Sequence, residues 1–372
     1  GIKKENIYYM PRENNWWGPA GLTGPCGTDT EMFVIRKPKC SPTCNPDCNC
    51  GAFLEIWNDV FMRFNKQADG SFVELAQKNV DTGMGLERAL CVLNGKSSVY
   101  ETDIFENAIK VIEELTGKKY GEDEETTKSF RVLLDHCRTA TFMLGDEKGI
   151  VPSNTDQGYI LRRIIRRAVR YGRNIDLPEG SLAKISAAFI EYYQGVYPEL
   201  SVNRDKIADE LVKEEAKFTK TLQQGLKEFE KCIGGIERKN TFMAQKDPAY
   251  VPEKVIGGKQ AFHLYDTYGF PVEITAEMAK ERGFSVDVDG YKAAFEEHQN
   301  KSKAGSEQKF ACGLADHKEA TTALHTATHL LHAALKKVCS PDVNQKGSNI
   351  TEERLRFDFN LPQPMTAEQI KA

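Results

Sequence analysis

The sequence predicts an α+β fold, on three observations. A run within residues 1–80 alternates with period two. Residues 84–300 carry apolar positions three and four apart. After residue 320 a helical run gives way to a second alternating one. The first alternating run is "FLEIWNDVFMRF", in which Leu54, Ile56, Val60, Met62 and Phe64 fall on one face. Asn58 falls on that same apolar face. A buried amide without a partner costs roughly 1–3 kcal/mol, so Asn58 needs either neighbouring backbone or a ligand. Helices follow. "GMGLERALCVLNG" is short and stops at Gly95, and "TDIFENAIKVIEELTG" is a second. "RDKIADELVKEEAKFTKTLQQGLKEFEKCI" is a long third, whose stripe of Ile207, Leu211, Phe218, Leu222, Phe229 and Ile233 reads as core packing. Residues 299–320 are polar and irregular and predict a linker. Residues 321–337 predict a helix and "RLRFDFN" a strand, and no internal repeat is present.

Composition narrows the class. A chain of 372 residues, 40% hydrophobic and 28% charged, predicts a soluble protein of two or three domains. No apolar run approaches the ~18 residues that span a membrane, so no membrane partner is expected. The start, "GIKKENIYYM", has no apolar core of a signal peptide and begins with Gly1, which predicts a processed chain or a fragment. With a net charge of -4, nucleic-acid binding would need a local basic patch. Of ten cysteines, Cys26, Cys91, Cys137, Cys232, Cys312 and Cys339 are scattered singly and four lie together. That usage predicts reduced thiols in the cytoplasm plus one metal-type cluster.

Three motifs carry chemistry. In "YILRRIIRRAVR", Ile160, Leu161, Ile164, Ile165, Ala168 and Val169 cover one half of a helix. Arg162, Arg163, Arg166, Arg167 and Arg170 cover the other. Such a face calls for a polyanion such as a nucleic-acid backbone, or for acids elsewhere in the chain. Just upstream, Ser153 and Asn154 stand where short polar side chains cap helices, and Asn154 could instead read a base edge. In "KCSPTCNPDCNCG", Cys40, Cys44, Cys48 and Cys50 could close a tetrahedral zinc site, remain a reduced thiol cluster, or form disulfides. In "HTATHLLH", His325, His329 and His332 share one face, opposite Leu324, Ala327, Leu330, Leu331 and Leu335. Two histidines at i, i+4 can share zinc, but no glutamate of a protease base stands between them.

Taken in order, these segments resemble the alanyl-tRNA synthetases, a family of class II aminoacyl-tRNA synthetases. "ENNWWGPAGLTGPCGTDTEMF", "FLEIWNDVFMRFN" and "NVDTGMGLER" resemble the latter part of the family's catalytic domain, the last being class II motif 3. "DHCRTATFMLGDEKGIVPSNTDQGYILRRIIRRAVRYG" and "FHLYDTYGFPVEIT" resemble its helical tRNA-recognition domain, and "LHTATHLLHAALKKV" through "RLRFDFN" the opening of its editing domain. The resemblance implies four segments. These are the C-terminal part of an antiparallel-sheet catalytic domain with a Cys-rich insertion (1–92), a helical tRNA-recognition domain (93–298), a linker (299–320) and the N-terminal part of an α+β editing domain (321–372).

It also implies an activity, ATP-dependent activation of alanine and its transfer to the 3′ end of alanine tRNA, with ATP, Mg2+ and Zn2+ as cofactors. Asp81 would hold the substrate ammonium. Gly83 and Gly85 would let substrate approach the backbone, and Arg88 would bind ATP phosphate or stack on adenine. Trp16, Asn58 and Val60 would line the side-chain pocket, and Glu31 matches an acid near the substrate. Asn154 and Asp266 match residues that recognise the G·U wobble pair of the acceptor stem, with the arginine face tracking the tRNA backbone. His325 and His329 match two of four editing-site zinc ligands.

Departures from the pattern shape the expectation further. Nothing here resembles motifs 1 and 2, the C-x3-H pair of the editing site is absent, and "ENNWWGPAGLTGPCG" stands where "ENFWEMGDTGPCG" is usual. The chain therefore reads as an internal portion of a synthetase, inactive alone, or as one part of a split enzyme whose complementary chain carries motifs 1 and 2. A non-catalytic tRNA-binding module is the alternative. A free-standing deacylase fits less well with motif 3 and an incomplete histidine set.

Overall fold

The structure is a computed structural model, and it describes residues 2–147, 149–307, 313–314, 319–350, 354–361 and 364–371. The chain divides into two compact units, Gly1–Lys220 and Thr221–Ala372. The α+β class holds.

A four-stranded antiparallel sheet opens the first unit. β1 (Trp16–Trp17), β2 (Gly24–Ile35), β3 (Phe53–Lys66) and β4 (Phe72–Met84) lie in that order, so β1 and β4 are the edges. β3 keeps the alternation expected of it: Val60 and Met62 are buried while Phe61 and Arg63 are exposed. Seven helices follow. α1 (Leu86–Leu93) stops just before Gly95, which takes φ 59°. α2 (Asp103–Thr116) ends on Gly117, whose N–H donates to Glu113 O at 2.8 Å. α3 (Glu124–Gly145) is capped by Asp123, whose Oδ1 accepts from Thr126 N at 2.8 Å. α4 (Asp156–Asn174), α5 (Ser181–Tyr193), α6 (Pro198–Val202) and the long α7 (Arg204–Lys246), which runs on into the second unit's residues after Lys220, complete the set. Phe105, Phe130, Leu133, Leu161, Phe189 and Leu211 are among the side chains buried between them. The α7 stripe expected as core is buried at all six positions.

The basic face of α4 does not look outward as a continuous patch. Arg166 is 6% exposed and Arg170 8%, and Arg162, Arg163 and Arg167 are half-buried. Arg166 Nε donates to Glu214 Oε1 on α7 at 2.7 Å, and Arg162 Nε lies 3.3 Å from the same oxygen. Arg167 Nη1 meets His136 Nε2 of α3 at 2.9 Å. The acid that answers Arg162 and Arg166 is thus on α7, and the expectation of a phosphate-tracking surface is corrected for Arg166 and Arg170 because both are buried. The neighbouring Glu215 is buried too and receives backbone N–H groups of Gly180, Leu182 and Ser181, capping α5, which has no side-chain cap of its own. Burial pushes its carboxyl up to about 7, against the pull of those N–H groups.

In the second unit β5 (Val255–Ile256) pairs in parallel with β6 (Ser285–Val286). α8 (Gly258–Tyr268), α9 (Val272–Glu281) and α10 (Val288–Glu307) accompany them, with Phe262, Tyr265, Tyr291 and Phe295 in mutual ring contact. α10 continues to Glu307, so residues 299–307 of the expected linker are helical: good helix formers such as Gln299, Lys301, Lys303 and Ala304 propagate a helix already nucleated. The linker positions 308–312 and 315–318, with Cys312, lie outside the described residues. β7 (Gly313–Leu314), β8 (Gln345–Ile350) and β9 (Leu355–Phe359) form a small sheet beside α11 (Glu319–Val338), and α12 (Ala367–Lys371) ends the described chain. No described helix is long and apolar enough to cross a membrane.

Candidate functional site

Two cross-strand rows build the site. Asp29, Val60 and Asp81 are directly opposed on β2, β3 and β4, and Glu31, Asn58 and Gly83 form the next row. Opposed residues of antiparallel strands put side chains on the same face, and every second residue returns to it. Five of these six positions were named from the sequence; Asp29 was not, although its spacing of two from Glu31 in "TDTE" is the signal that finds it. Asn58 has its partner: Nδ2 donates to Asp29 Oδ2 at 3.4 Å. The other oxygens, Asp29 Oδ1 and Asn58 Oδ1, are buried and accept nothing from the described residues. Asp81 and Gly83 are exposed on the edge strand.

The remaining named residues lie outside these two rows. Trp16 pairs with Thr28, and its ring packs on Phe64 and Phe72 at 5.9 and 5.5 Å with the Arg12 guanidinium 4.1 Å above it. Arg88, in the first turn of α1, is held by Glu55: Nη1 donates to Oε2 at 2.7 Å and to the backbone oxygen at 3.2 Å. Gly85 has an ordinary φ of -71°, but a Cβ there would stand 3.1 Å from Arg88 Cδ, so glycine leaves room for the arginine stem. Glu31 is pushed up from the usual carboxylate range by burial, then by the charges of Glu55 and Asp29, against the pull of Arg88. The face is therefore rich in acceptors, and Arg88 supplies positive charge beside Glu31.

The loop from β2 to β3 gathers the four cysteines. Their sulfurs all lie within 4.8 Å of one another, with Cys40 to Cys48 at 3.5 Å and Cys44 to Cys50 at 3.6 Å. Zn–S bonds of about 2.3 Å at tetrahedral angles set sulfurs about 3.8 Å apart, so the cluster has the dimensions of a thiolate metal site. Turns closed by Cys44 N to Ser41 O and Cys48 N to Asn45 O bring the thiols together. The Ala52 N–H donates to Cys50 Sγ and lowers that thiol to about 7, whereas hydrogen bonding with Cys48, Cys44 and Cys50 raises Cys40 to about 12. The same loop touches the Trp16 segment, because Asn14 Nδ2 donates to Asp47 Oδ1 at 3.1 Å.

Asn154 does not cap α4. The cap position is Thr155, without a side-chain bond, and Ser153 turns back on Thr155 instead. Asn154 is exposed, and its Oδ1 accepts from Arg162 Nη1, which turns the amide into a donor. Gly158 makes this loop possible: a Cβ there would lie 2.2 Å from Ser153 Oγ and 2.6 Å from Val151 O. Asp266 is exposed on α8 in the other unit, 3.9 Å from His298 Nε2. On α11 the His325 and His329 rings are 5.0 Å apart and exposed, whereas His332 turns to Val343 O at 3.1 Å. Leu335 is buried but Leu330 is 69% exposed, so the leucines opposite the histidines are not a single packed face. Among the described residues, only the four cysteines form a metal-type group of three or more ligands.

A family model described as tRNA synthetases class II (A) matches residues 1–351. The chain is 51% identical over its whole length to an alanine–tRNA ligase of Treponema denticola, and 49% identical to those of Borrelia hermsii and Treponema pallidum. A more distant alanine–tRNA ligase, of Dehalococcoides mccartyi, is 31% identical. The chain spans about 60% of the length of the first three relatives.

Proposed function

We propose that this chain, which belongs to the class II tRNA synthetase (A) family, carries the alanine pocket and part of the tRNA-recognition surface of an alanine–tRNA ligase. The sheet face supports this reading best, because five of the six residues that the resemblance names for alanine binding, Glu31, Asn58, Val60, Asp81 and Gly83, share it in two adjoining rows. Asp81 would take the ammonium, Val60 would floor the methyl pocket, and Arg88 would hold ATP phosphate. Mg2+ would neutralise phosphate charge beside Glu31, whose crowding by Glu55 and Asp29 a cation relieves. A carboxylate oxygen of alanine attacks the α-phosphorus as the bond to pyrophosphate breaks, and the tRNA 3′ hydroxyl then takes the alanyl group with release of AMP. Positioning and charge stabilisation do this work.

The exposed edge of β4, with Val73, Val80 and Met84 outward, suits a further sheet partner, such as a complementary chain carrying motifs 1 and 2. We assign Zn2+ to Cys40, Cys44, Cys48 and Cys50 as a closed structural site, and read His325 and His329 as two ligands of a second, editing-type site. The segments 1–92, 93–298 and 321–372 are assigned as parts of the catalytic, tRNA-recognition and editing domains, and the free state of all nine described cysteines fits the cytoplasm. Alanine-dependent ATP–pyrophosphate exchange tests the reading, with motifs 1 and 2 supplied on a second segment. Exchange should appear in the mixture and fall at least about tenfold with Asp81→Ala, the scale of one lost charged contact. A mixture that binds tRNA but never exchanges would leave only a tRNA-binding module.

Base recognition has its own test. The minor groove of an RNA duplex is shallow and displays base edges. The Asn154 amide offers it a donor and the Asp266 carboxylate an acceptor. Asn154→Ala or Asp266→Ala should cost about 1–3 kcal/mol of binding to alanine tRNA with its G·U pair, and much less with a Watson–Crick pair there. Since Asn154 caps nothing, no helix defect confuses the comparison. Equal losses on both tRNAs would remove the two residues from base reading.

A further inference from the structure

Asp29 is the acid on the sheet face that no motif named. It is 8% exposed, and its Oδ1 has no donor among the described residues. A buried carboxylate without a counter-charge is costly, so the site is balanced only when a cationic donor enters. Asn58 beside it is set to act in the same sense. Its Nδ2 is committed to Asp29 Oδ2, which leaves Oδ1, a second buried acceptor without a donor. Asp81, across Val60 in the same row, supplies a third.

We propose that Asp29 is a substrate-binding residue, and that its Oδ1, the Asn58 Oδ1 and the Asp81 carboxylate together seat the α-ammonium of the amino acid. The assignment deepens the alanine-pocket reading and rests on it. An ammonium group has three N–H donors in a tetrahedral fan and no acceptor, which matches three acceptors on one face. Val60, buried between the two acids, lies beneath the α-carbon and limits the side chain that fits. A hydrated Mg2+ fits this seat poorly, because one of its acceptors is an amide oxygen already fixed by a side chain and the floor is aliphatic.

The test is direct binding to this chain, by calorimetry or ligand-observed NMR, of L-alanine, alaninamide (ammonium without carboxylate) and propionate (carboxylate without ammonium). Asp29→Asn keeps the shape and removes the charge. It should weaken L-alanine and alaninamide roughly tenfold to a hundredfold, the scale of one charged hydrogen bond, and leave propionate unchanged. Asp29→Glu, which keeps the charge, should recover part of the loss, and it carries the test if the Asn variant fails to fold. Unchanged affinity for alanine in a folded Asp29→Asn chain overturns the assignment while the alanine reading stands. Asp29-dependent binding of larger amino acids, equal to that of alanine, keeps the ammonium seat and overturns the alanine reading. Wild-type chain that binds no ammonium ligand overturns the seat itself.

Discussion

Cys44→Ser is expected to abolish zinc binding by this chain, from one ion per chain to near none by metal analysis of the purified protein. Cys44 is the buried member of the cluster, and its sulfur sits 3.6 Å from that of Cys50, inside a set already at tetrahedral metal-site dimensions. A serine hydroxyl is a hard, neutral ligand and cannot replace a thiolate. Because a closed site binds only when folded, the ion's binding free energy adds directly to stability, and for small zinc domains that is on the order of 10 kcal/mol. Here the loss falls on the loop of residues 36–52 and, through Asp47 to Asn14, on the segment that carries Trp16. The variant should therefore melt earlier and be cleaved faster in that loop by protease. His325→Ala should leave the bound zinc unchanged. Zinc kept by Cys44→Ser and lost by His325→Ala would reverse the assignment.

Glu214→Gln is expected to destabilise the first unit by about 3–5 kcal/mol in denaturant unfolding, the scale of removing the charge of one member of a buried ion pair. The carboxylate sits between Arg162 and Arg166, and the Arg166 guanidinium, nearly as buried as the acid, lies 5.2 Å over the ring of Phe218. Arg166→Met should cost less than Glu214→Gln, because Arg162 still answers the carboxylate. The double variant should be more stable than the sum of the two losses predicts, by at least about 0.5 kcal/mol, since the pair acts as a unit. The salt dependence of tRNA binding separates this role from phosphate contact. A phosphate-binding arginine contributes up to about 0.9 to the log–log slope, and a folded Arg166→Met chain should leave the slope unchanged. A lowered slope with intact stability would return Arg166 to the tRNA-facing side.

Periodicity was enough for the elements whose partners lie nearby. The β3 alternation, the stops at Gly95 and Gly117 and the α7 stripe all lie where the pattern puts them, because each depends on neighbours within a few residues. Asn58 is the instructive case. Its place on an apolar face announced a polar partner, but Asp29, 29 residues upstream, is set beside it only by the pairing of β2 with β3. Polar composition misled at residues 299–307, where a helix begun at Val288 runs on through Asn300, Ser302 and Gly305, residues that by themselves favour turns.

The sequence by itself determined the α+β class, the family, the cysteine cluster and most positions of the sheet face, since these rest on local pattern and on motifs in a fixed order. Tertiary structure alone decided which way charged groups turn. The arginines of α4 left a polyanion surface and acids elsewhere in the chain both open, until α7 brings Glu214 against Arg162 and, from 48 residues away, Arg166. Asn154 read as a cap or as a base contact, until Thr155 took the cap position and Arg162 the Asn154 oxygen. The physical reason is common to both. A charge is answered by whatever lies within a few ångströms of it, and for long-range pairs that neighbour is chosen by the packing of helices, which no window of sequence contains.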